Sequence, residues 1–206
     1  LDDVTDALMV AKCANPACTG VATVTTVDDP VNLLRFDAAV AVTADGLPII
    51  AYLDYTARTL KAAKCLNQAC TGGATISVVD DPSNNLCCDV GIAVGSDGLP
   101  VIAYRDESAG SLKVARCANA SCTGAATITT VDDPSNFVGY ELSIAIGADG
   151  LPVISHRDIT AGAVKVAKCA NLACTGASSL ATVDDGPGNV GIGSSIAIGA
   201  DGLPVI

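Results

Sequence analysis

Acidic side chains recur in this sequence at spacings that suit a hard cation. Doublets stand at Asp28-Asp29, Asp80-Asp81, Asp132-Asp133 and Asp184-Asp185, and the first three are followed, nine residues on, by Asp37, Asp89 and Glu141. Calcium takes six to eight oxygens at about 2.4 Å, and a double Asp in a loop with nearby carbonyls can supply several. Calcium is therefore the one cofactor these residues suit, with the eight doublet aspartates as candidate ligands. The competing role is turn chemistry, because Asp-Asp-Pro and Asp-Gly form turns whose carboxylates cap local amides. No Asp-x-Asp-x-Asp-Gly loop is present.

Cysteine offers a second chemistry. Eight of the ten cysteines form four identical C-x4-C pairs: Cys13 with Cys18, Cys65 with Cys70, Cys117 with Cys122, and Cys169 with Cys174. Zinc sites favour tighter knuckles converging from two segments, whereas these pairs lie far apart in the chain. Hairpin-closing disulfides are expected, each contributing about 2 kcal/mol in the chain-entropy picture and pinning strand register. They imply an oxidising compartment and hence a secreted or cell-surface protein. Cys87 and Cys88 stand outside the pattern, since their counterparts are Arg35 and Phe36 in one copy and Gly139 and Tyr140 in another. Adjacent cysteines can close a strained ring, stay as semi-buried thiols or cross-link chains.

Acid–base and nucleophilic catalysis find little support. The single histidine, His156, occupies the slot held elsewhere by Tyr52 and Tyr104, which suits a structural substitution better than a base. No G-x-S-x-G elbow or P-loop occurs, and no helix is expected whose N-terminus could bind a phosphate. A glycosidase needs two carboxyls in unlike environments, but in a repeat every acid recurs. No enzymatic activity is expected.

What positions all these residues is a repeat of 52 residues. Asp-Gly-Leu-Pro begins at Asp45, Asp97, Asp149 and Asp201, with the cysteine pairs in the same phase and no insertion or deletion between copies. Constant spacing means one supersecondary unit stacked on copies of itself, so residues 1–206 read as a single repeat domain. Half the chain is apolar but only 3% is aromatic. Val, Ile, Leu and Ala must fill the core, a mixture suited to closely stacked sheets.

One copy reads as four short antiparallel strands. Ser143–Gly147 alternates small and branched residues, 148–150 is a tight turn, and 151–157 is a second strand with Pro152 near its start. A third strand is expected over 163–169, less deeply buried because it mixes apolar with basic residues. The fourth spans 179–183, or 126–131 in the preceding copy. Four strands in about 50 residues without helices describe a β-propeller blade, with the first strand innermost and Ala41, Ala93, Ala145 and Ala197 allowing close approach. The stretch Ile144-Ala-Ile-Gly-Ala-Asp-Gly-Leu-Pro-Val-Ile154 resembles the tandem blades of secreted bacterial β-propeller proteins. That resemblance implies a fold and a secreted setting and carries no catalytic residue with it.

The repeat phase places the two ends of the sequence within one blade, cut between its second and third strands. Two arrangements remain open: a four-bladed ring closed by both termini, or a window on a longer array or filament. No leader is recognisable at Leu1, which suits a mature product or such a window. With 22 acidic and 11 basic residues the net charge is −11, so nucleic acid is not an expected partner. Gly, Asp and Pro interrupt every apolar run before the roughly 20 residues a membrane span needs. Basic residues recur too, Lys12, Lys64, Arg116 and Lys168 before the cysteine pairs and Lys61, Lys113 and Lys165 three positions earlier. On an outer strand they would form a stripe able to meet the acidic loops of another subunit. The expected function is a non-enzymatic extracellular structural or adhesive module, with self-association or cell-surface partners. The alternative is a lectin-like propeller binding a glycan or other ligand, for which Tyr52 and Tyr104 recur as tyrosines in register.

Overall fold

A computed structural model of the chain describes residues 7–29, 38–81, 86–133, 137–176, 178–188 and 190–206, with Cys87 described by its backbone alone. The described residues form only strands, turns and irregular segments. Three complete blades run in chain order: β3–β6 (Ala38–Val42, Pro48–Asp54, Thr59–Cys65, Ala74–Asp80), β7–β10 (Leu86–Val94, Pro100–Asp106, Ser111–Arg116, Thr127–Asp132) and β11–β14 (Tyr140–Ile146, Pro152–Asp158, Ala163–Lys168, Ser179–Asp184). Each is an antiparallel sheet whose strands lie side by side in sequence order. A leading half-blade, β1–β2 (Leu8–Lys12, Thr23–Asp28), supplies a third and a fourth strand. A trailing half-blade, β15–β16 (Ala197–Ile198, Pro204–Val205), supplies a first and a second.

The turns follow from local chemistry. In each copy a glycine in the Asp-Gly turn has φ between +75° and +80°, a region glycine enters without strain. The preceding aspartate accepts from the leucine amide two residues on, at 3.0–3.1 Å in all four copies. Proline then opens the second strand, where a missing donor is tolerated. Successive turns stack closely: a Cβ on Gly150 would lie 3.2 Å from Ser96 Oγ, and one on Gly202 3.0 Å from the Ala148 Cβ.

The core lies in the seams between blades, because every blade buries both faces. Ile49, Ala51, Leu53, Leu60 and Ala62 of the first blade meet Ile92, Ile102, Tyr104 and Ala115 of the second. Val101, Ala103 and Leu112 of the second meet Leu142, Ile154 and Ala167 of the third. Leu8 of the leading half-blade packs on Ile50, Tyr52 and Ala63. The third strand is therefore deeply buried, contrary to the expectation drawn from its lysines. In β5 six of seven residues are buried. The fourth strand is the exposed one, all six residues of β14 lying open. Lysine stems can be buried along apolar surface while their charged ends find partners, and here those partners are acids of the same blade.

The four expected disulfides are formed, and they suit an oxidising environment. Each of Cys65–Cys70, Cys117–Cys122 and Cys169–Cys174 packs into the seam with the preceding blade, its sulfurs' residues at most 2% exposed. Among the described residues nothing packs over Cys13–Cys18, and both cysteines are exposed. A mild reductant applied to the native protein is expected to open Cys13–Cys18 and spare the other three. Alkylation followed by peptide mass spectrometry should find label on Cys13 and Cys18 alone among these eight. Equal labelling of all four pairs would contradict the seam packing. Cys88 is disulfide-bonded and has φ +80°, and the side chain of Cys87 lies outside the described residues.

β1–β2 and β15–β16 are separate two-stranded sheets, so the array is open rather than closed into a ring.

Candidate functional site

The ionisable residues converge on the seams, and a backbone irregularity puts them there. Where the fourth strand pairs with the third, the register slips by one residue just before the first Asp of each doublet. Lys61 lies opposite Val78 but Leu60 opposite Asp80, and the same slip recurs at Met9/Leu8, Lys113/Leu112 and Lys165/Val164. A bulge of this kind turns two consecutive side chains to one face. Val27, Val79 and Val131 thus enter the seam cores, and Asp28, Asp80 and Asp132 follow them onto the same face, toward the next blade.

There each aspartate meets the second strand of the neighbour. Tyr52 donates to Asp28 Oδ2 at 2.6 Å and Tyr104 to Asp80 Oδ2 at 2.5 Å. The lysine of the adjoining third strand donates to the aspartate that ends the second: Lys61 to Asp54 at 2.7 Å, Lys113 to Asp106 at 2.6 Å and, at 2.8 Å, Lys165 to Asp158. A hydroxyl three residues further back on the fourth strand reaches the neighbour's disulfide loop, as Thr25 to Ala69 O, Ser77 to Ser121 O and Thr129 to Ala173 O. The first two seams are thus clasped twice, by a tyrosine–aspartate bond and by a hydroxyl on the neighbour's loop.

Electrostatics keep these groups in fixed protonation states. Burial and the hydrogen bond to Asp28 or Asp80 push the Tyr52 and Tyr104 hydroxyls far above the ordinary phenol value, so both stay neutral donors. Burial works to raise Asp54, Asp106 and Asp158, but the lysine contacts and the amides of the following turn outweigh it and hold all three carboxyls low. The third clasp differs. His156 is fully buried with Nε2 3.4 Å from Asp132 Oδ2, further than the tyrosine hydroxyls sit from their acids. Burial, then the Lys165 charge, pushes the imidazole down to about 4, and burial raises the Asp132 carboxyl. A neutral, enclosed imidazole in a tyrosine slot is a shorter side chain filling a structural position.

The doublet aspartates are thereby divided. Asp28, Asp80 and Asp132 face seams, whereas Asp29, Asp81, Asp133 and Asp185 are exposed, as is Asp184, beyond which no further seam is described. Among the described residues no group of three or more His, Cys, Asp or Glu converges as a metal site would require. Asp37 lies outside the described residues, while Glu141 Oε2 accepts from the Gly193 amide at 3.0 Å. The lysine stripe is not a free surface. Besides Lys61, Lys113 and Lys165, Lys64 and Lys168 pair with Asp45 and Asp149 at 2.8 and 2.6 Å, and Arg116 pairs with Asp97. Lys12 is exposed and pairs with no acid among the described residues.

Two sets of residues escape sequence reasoning. Asn15, Asn67, Asn119 and Asn171 organise the disulfide loops, Asn67 Oδ1 accepting from the Ala69 and Thr71 amides at 3.1 Å each. They hold the second cysteine of every pair at φ between 52° and 58°, and the signal was an asparagine two residues after the first cysteine in all four copies. Arg105 takes a position filled by Leu53 one copy earlier. Fully buried, it donates Nε–H to Val138 O at 3.1 Å, stacks 3.8 Å from the Tyr140 ring centroid and pairs with Glu107.

No protein-family model matches the chain, and no curated protein matches it in sequence. In structure it is similar to a protein of unknown function from Dyadobacter fermentans, with a TM-score of 0.57 and 11% identity over 73% of this chain. The chain spans 42% of the length of that protein. A puromycin hydrolase S511A mutant gives a TM-score of 0.48 and 16% identity over 86% of this chain and 31% of its own. A fucose lectin from Kordia zhangzhouensis in complex with methyl-fucoside gives 0.45 and 7% identity, over 70% of this chain and 97% of its own. At these identities the likeness is one of fold.

Proposed function

We propose that this chain is a non-enzymatic extracellular structural module, a stack of disulfide-stapled blades built for assembly or adhesion. One observation carries the proposal: most of the chemistry-bearing side chains that recur from copy to copy are spent on holding each blade together and on holding it to its neighbour. Asp and Tyr clasp the first two seams, Lys ties the second and third strands of each blade, and the cysteine loops receive the neighbour's hydroxyls. Conserving such residues from copy to copy preserves a stackable unit and leaves no repeated catalytic constellation. The resemblance of Ile144–Ile154 to blades of secreted bacterial proteins, together with four disulfides, supports the extracellular setting.

Electron microscopy of the chain without reductant, paired with a glycan array, tests this. Extended assemblies and no selective glycan signal are expected. Selective, saturable binding of one glycan class by separate particles would replace the proposal with a carbohydrate-binding module. Turnover of a hydrolase substrate, abolished by substituting an Asp or Glu, would replace it with an enzyme.

A further inference from the structure

Of the three seams that an aspartate doublet faces, the one between the second and third blades is built differently. In the other two a tyrosine ring belongs to the apolar cluster, Tyr52 in one and Tyr104 in the next, and its hydroxyl bonds the aspartate across the gap. The cluster of the third seam gathers Val101, Leu112, Leu142 and Ile154 and contains no aromatic ring. Its tyrosine slot holds His156, the one histidine of the chain, and both ring nitrogens and Asp132 Oδ2 are buried without a hydrogen bond. Buried polar groups left unpaired weaken the surface they lie in. Thr129 bonds Ala173 O at 3.0 Å, and Val138 bonds Arg105 and Gly110 at 3.1 Å each, ties that end on loops of the third blade rather than on β12.

Charge of both signs surrounds the imidazole. Lys165 of β13 lies opposite it in register, Asp158 ends its own strand, and Asp132 of β10 approaches at 3.4 Å. The neighbouring charges are engaged elsewhere. Arg105 of β8 is held by Val138, Tyr140 and Glu107, Glu141 of β11 by the Gly193 amide, the Arg157 stem meets Gly191 on the opposite face, and Asp133 is exposed. Asp132 already serves Lys165 at 3.6 Å, so a proton on the enclosed ring would meet the Lys165 ammonium with little compensation.

We propose that this seam is an acid-operated latch: as pH falls below neutral it parts ahead of the other two and bares the Cys169–Cys174 disulfide, which packs in its apolar cluster. Opening lets the ring take up a proton at its ordinary value of 6.5, which the closed seam refuses until about 4. The open state therefore gains population as pH falls between those values. Asp132, raised by burial, takes up a proton early in the closed seam and offsets part of the gain. The net rise in the open population from pH 7 to pH 5 is about tenfold. Above pH 6.5 the ring is neutral in both states and the latch stays shut. Local opening of this kind precedes global unfolding, so in acid a reductant can cut one bridge while the other blades stay folded.

Reduction kinetics of the full chain test the latch. A phosphine reductant, active at both pH values, is pulsed at pH 7 and at pH 5, released thiols are alkylated, and each bridge is followed by peptide mass spectrometry. Rates are scaled to those of oxidised glutathione, which removes the pH dependence of the reductant itself. Cys169–Cys174 is expected to open about tenfold faster at pH 5 than at pH 7, with Cys65–Cys70 and Cys117–Cys122 unchanged. His156→Tyr and His156→Phe each place in the slot a ring that does not titrate in this range, and each should abolish the rise. Circular dichroism shows which variant folds, and one folded variant is enough. A Cys169–Cys174 rate indifferent to pH overturns the latch. An equal rise at all three buried bridges would be global unfolding and overturns it too, as does a rise that survives in the variants, since the titrating group would then lie elsewhere.

Discussion

Asp106→Ala is expected to destabilise the protein by about 3 kcal/mol, the cost of stranding one member of a buried ion pair. Asp106 is fully buried at the end of β8, where one oxygen accepts from Lys113 at 2.6 Å and the other from the Ala109 amide at 3.0 Å. Removing it leaves an ammonium without its acid inside the second blade and uncaps the turn into β9. Asp184→Ala is the control. Asp184 belongs to the same repeat but is exposed and faces no described seam, so a change within about 0.5 kcal/mol is expected. Urea denaturation of both variants decides the matter, and comparable losses would mean that the seams do not carry the energy assigned to them. The pH dependence has a definite sign. The Asp106 carboxyl is held below its ordinary value of 3.8, so its contribution is complete above that pH and is lost as pH falls through the lower, folded value. The deficit of Asp106→Ala should therefore narrow in acid.

Much of the blade was legible because its punctuation is local. Asp-Gly at each first turn, proline at the start of each second strand and strict alternation along Ser143–Ile146 place strands to within a few residues of β11–β14. The cysteine pairs were legible for the same reason, being closed within six residues of chain. What escaped depends on neighbours distant in sequence. Lysines on the third strand suggest a wet face, yet Lys61 and Lys113 are answered by acids on the adjoining strand, and pairing across strands leaves no local signature. The aspartate doublets look like cation ligands until the one-residue slip beside Val79 and Val131 turns Asp80 and Asp132 into the seams. That slip has no marker beyond Val-Asp-Asp itself. Arg105 stands where the preceding copy has Leu53 and the following copy Arg157, but its partners Val138 and Tyr140 lie in the next blade and leave no local signature.

His156→Tyr is expected to stabilise the protein, and to do so more at pH 5 than at pH 7. In the other two seams a tyrosine hydroxyl sits 2.5–2.6 Å from the aspartate across the gap. The imidazole stops at 3.4 Å, and neither it nor Asp132 Oδ2 completes a hydrogen bond. Tyrosine would restore the clasp, for a gain of about 1 kcal/mol at pH 7. Protonation adds to this in acid. The imidazole titrates near 6.5 in the unfolded chain and is pushed down to about 4 by burial and Lys165 in the folded one. Above pH 6.5 both states are neutral. Below it the unfolded chain takes up a proton that the folded chain refuses until about pH 4, so stability falls across that window by up to ~1.4 kcal/mol per pH unit. Asp132 works the other way. Its carboxyl is raised by burial, so the folded state gains a proton early and recovers part of the loss toward the acid end, while Lys165 and Asp158 keep their charges. From pH 7 to pH 5 the wild-type protein should lose about 1–2 kcal/mol through this seam, and His156→Tyr should lose none of it there. Denaturation curves of the two proteins at both pH values separate the contributions. Parallel behaviour would mean that the imidazole is not sealed in the seam, and that the tyrosine slot has been given a group open to solvent.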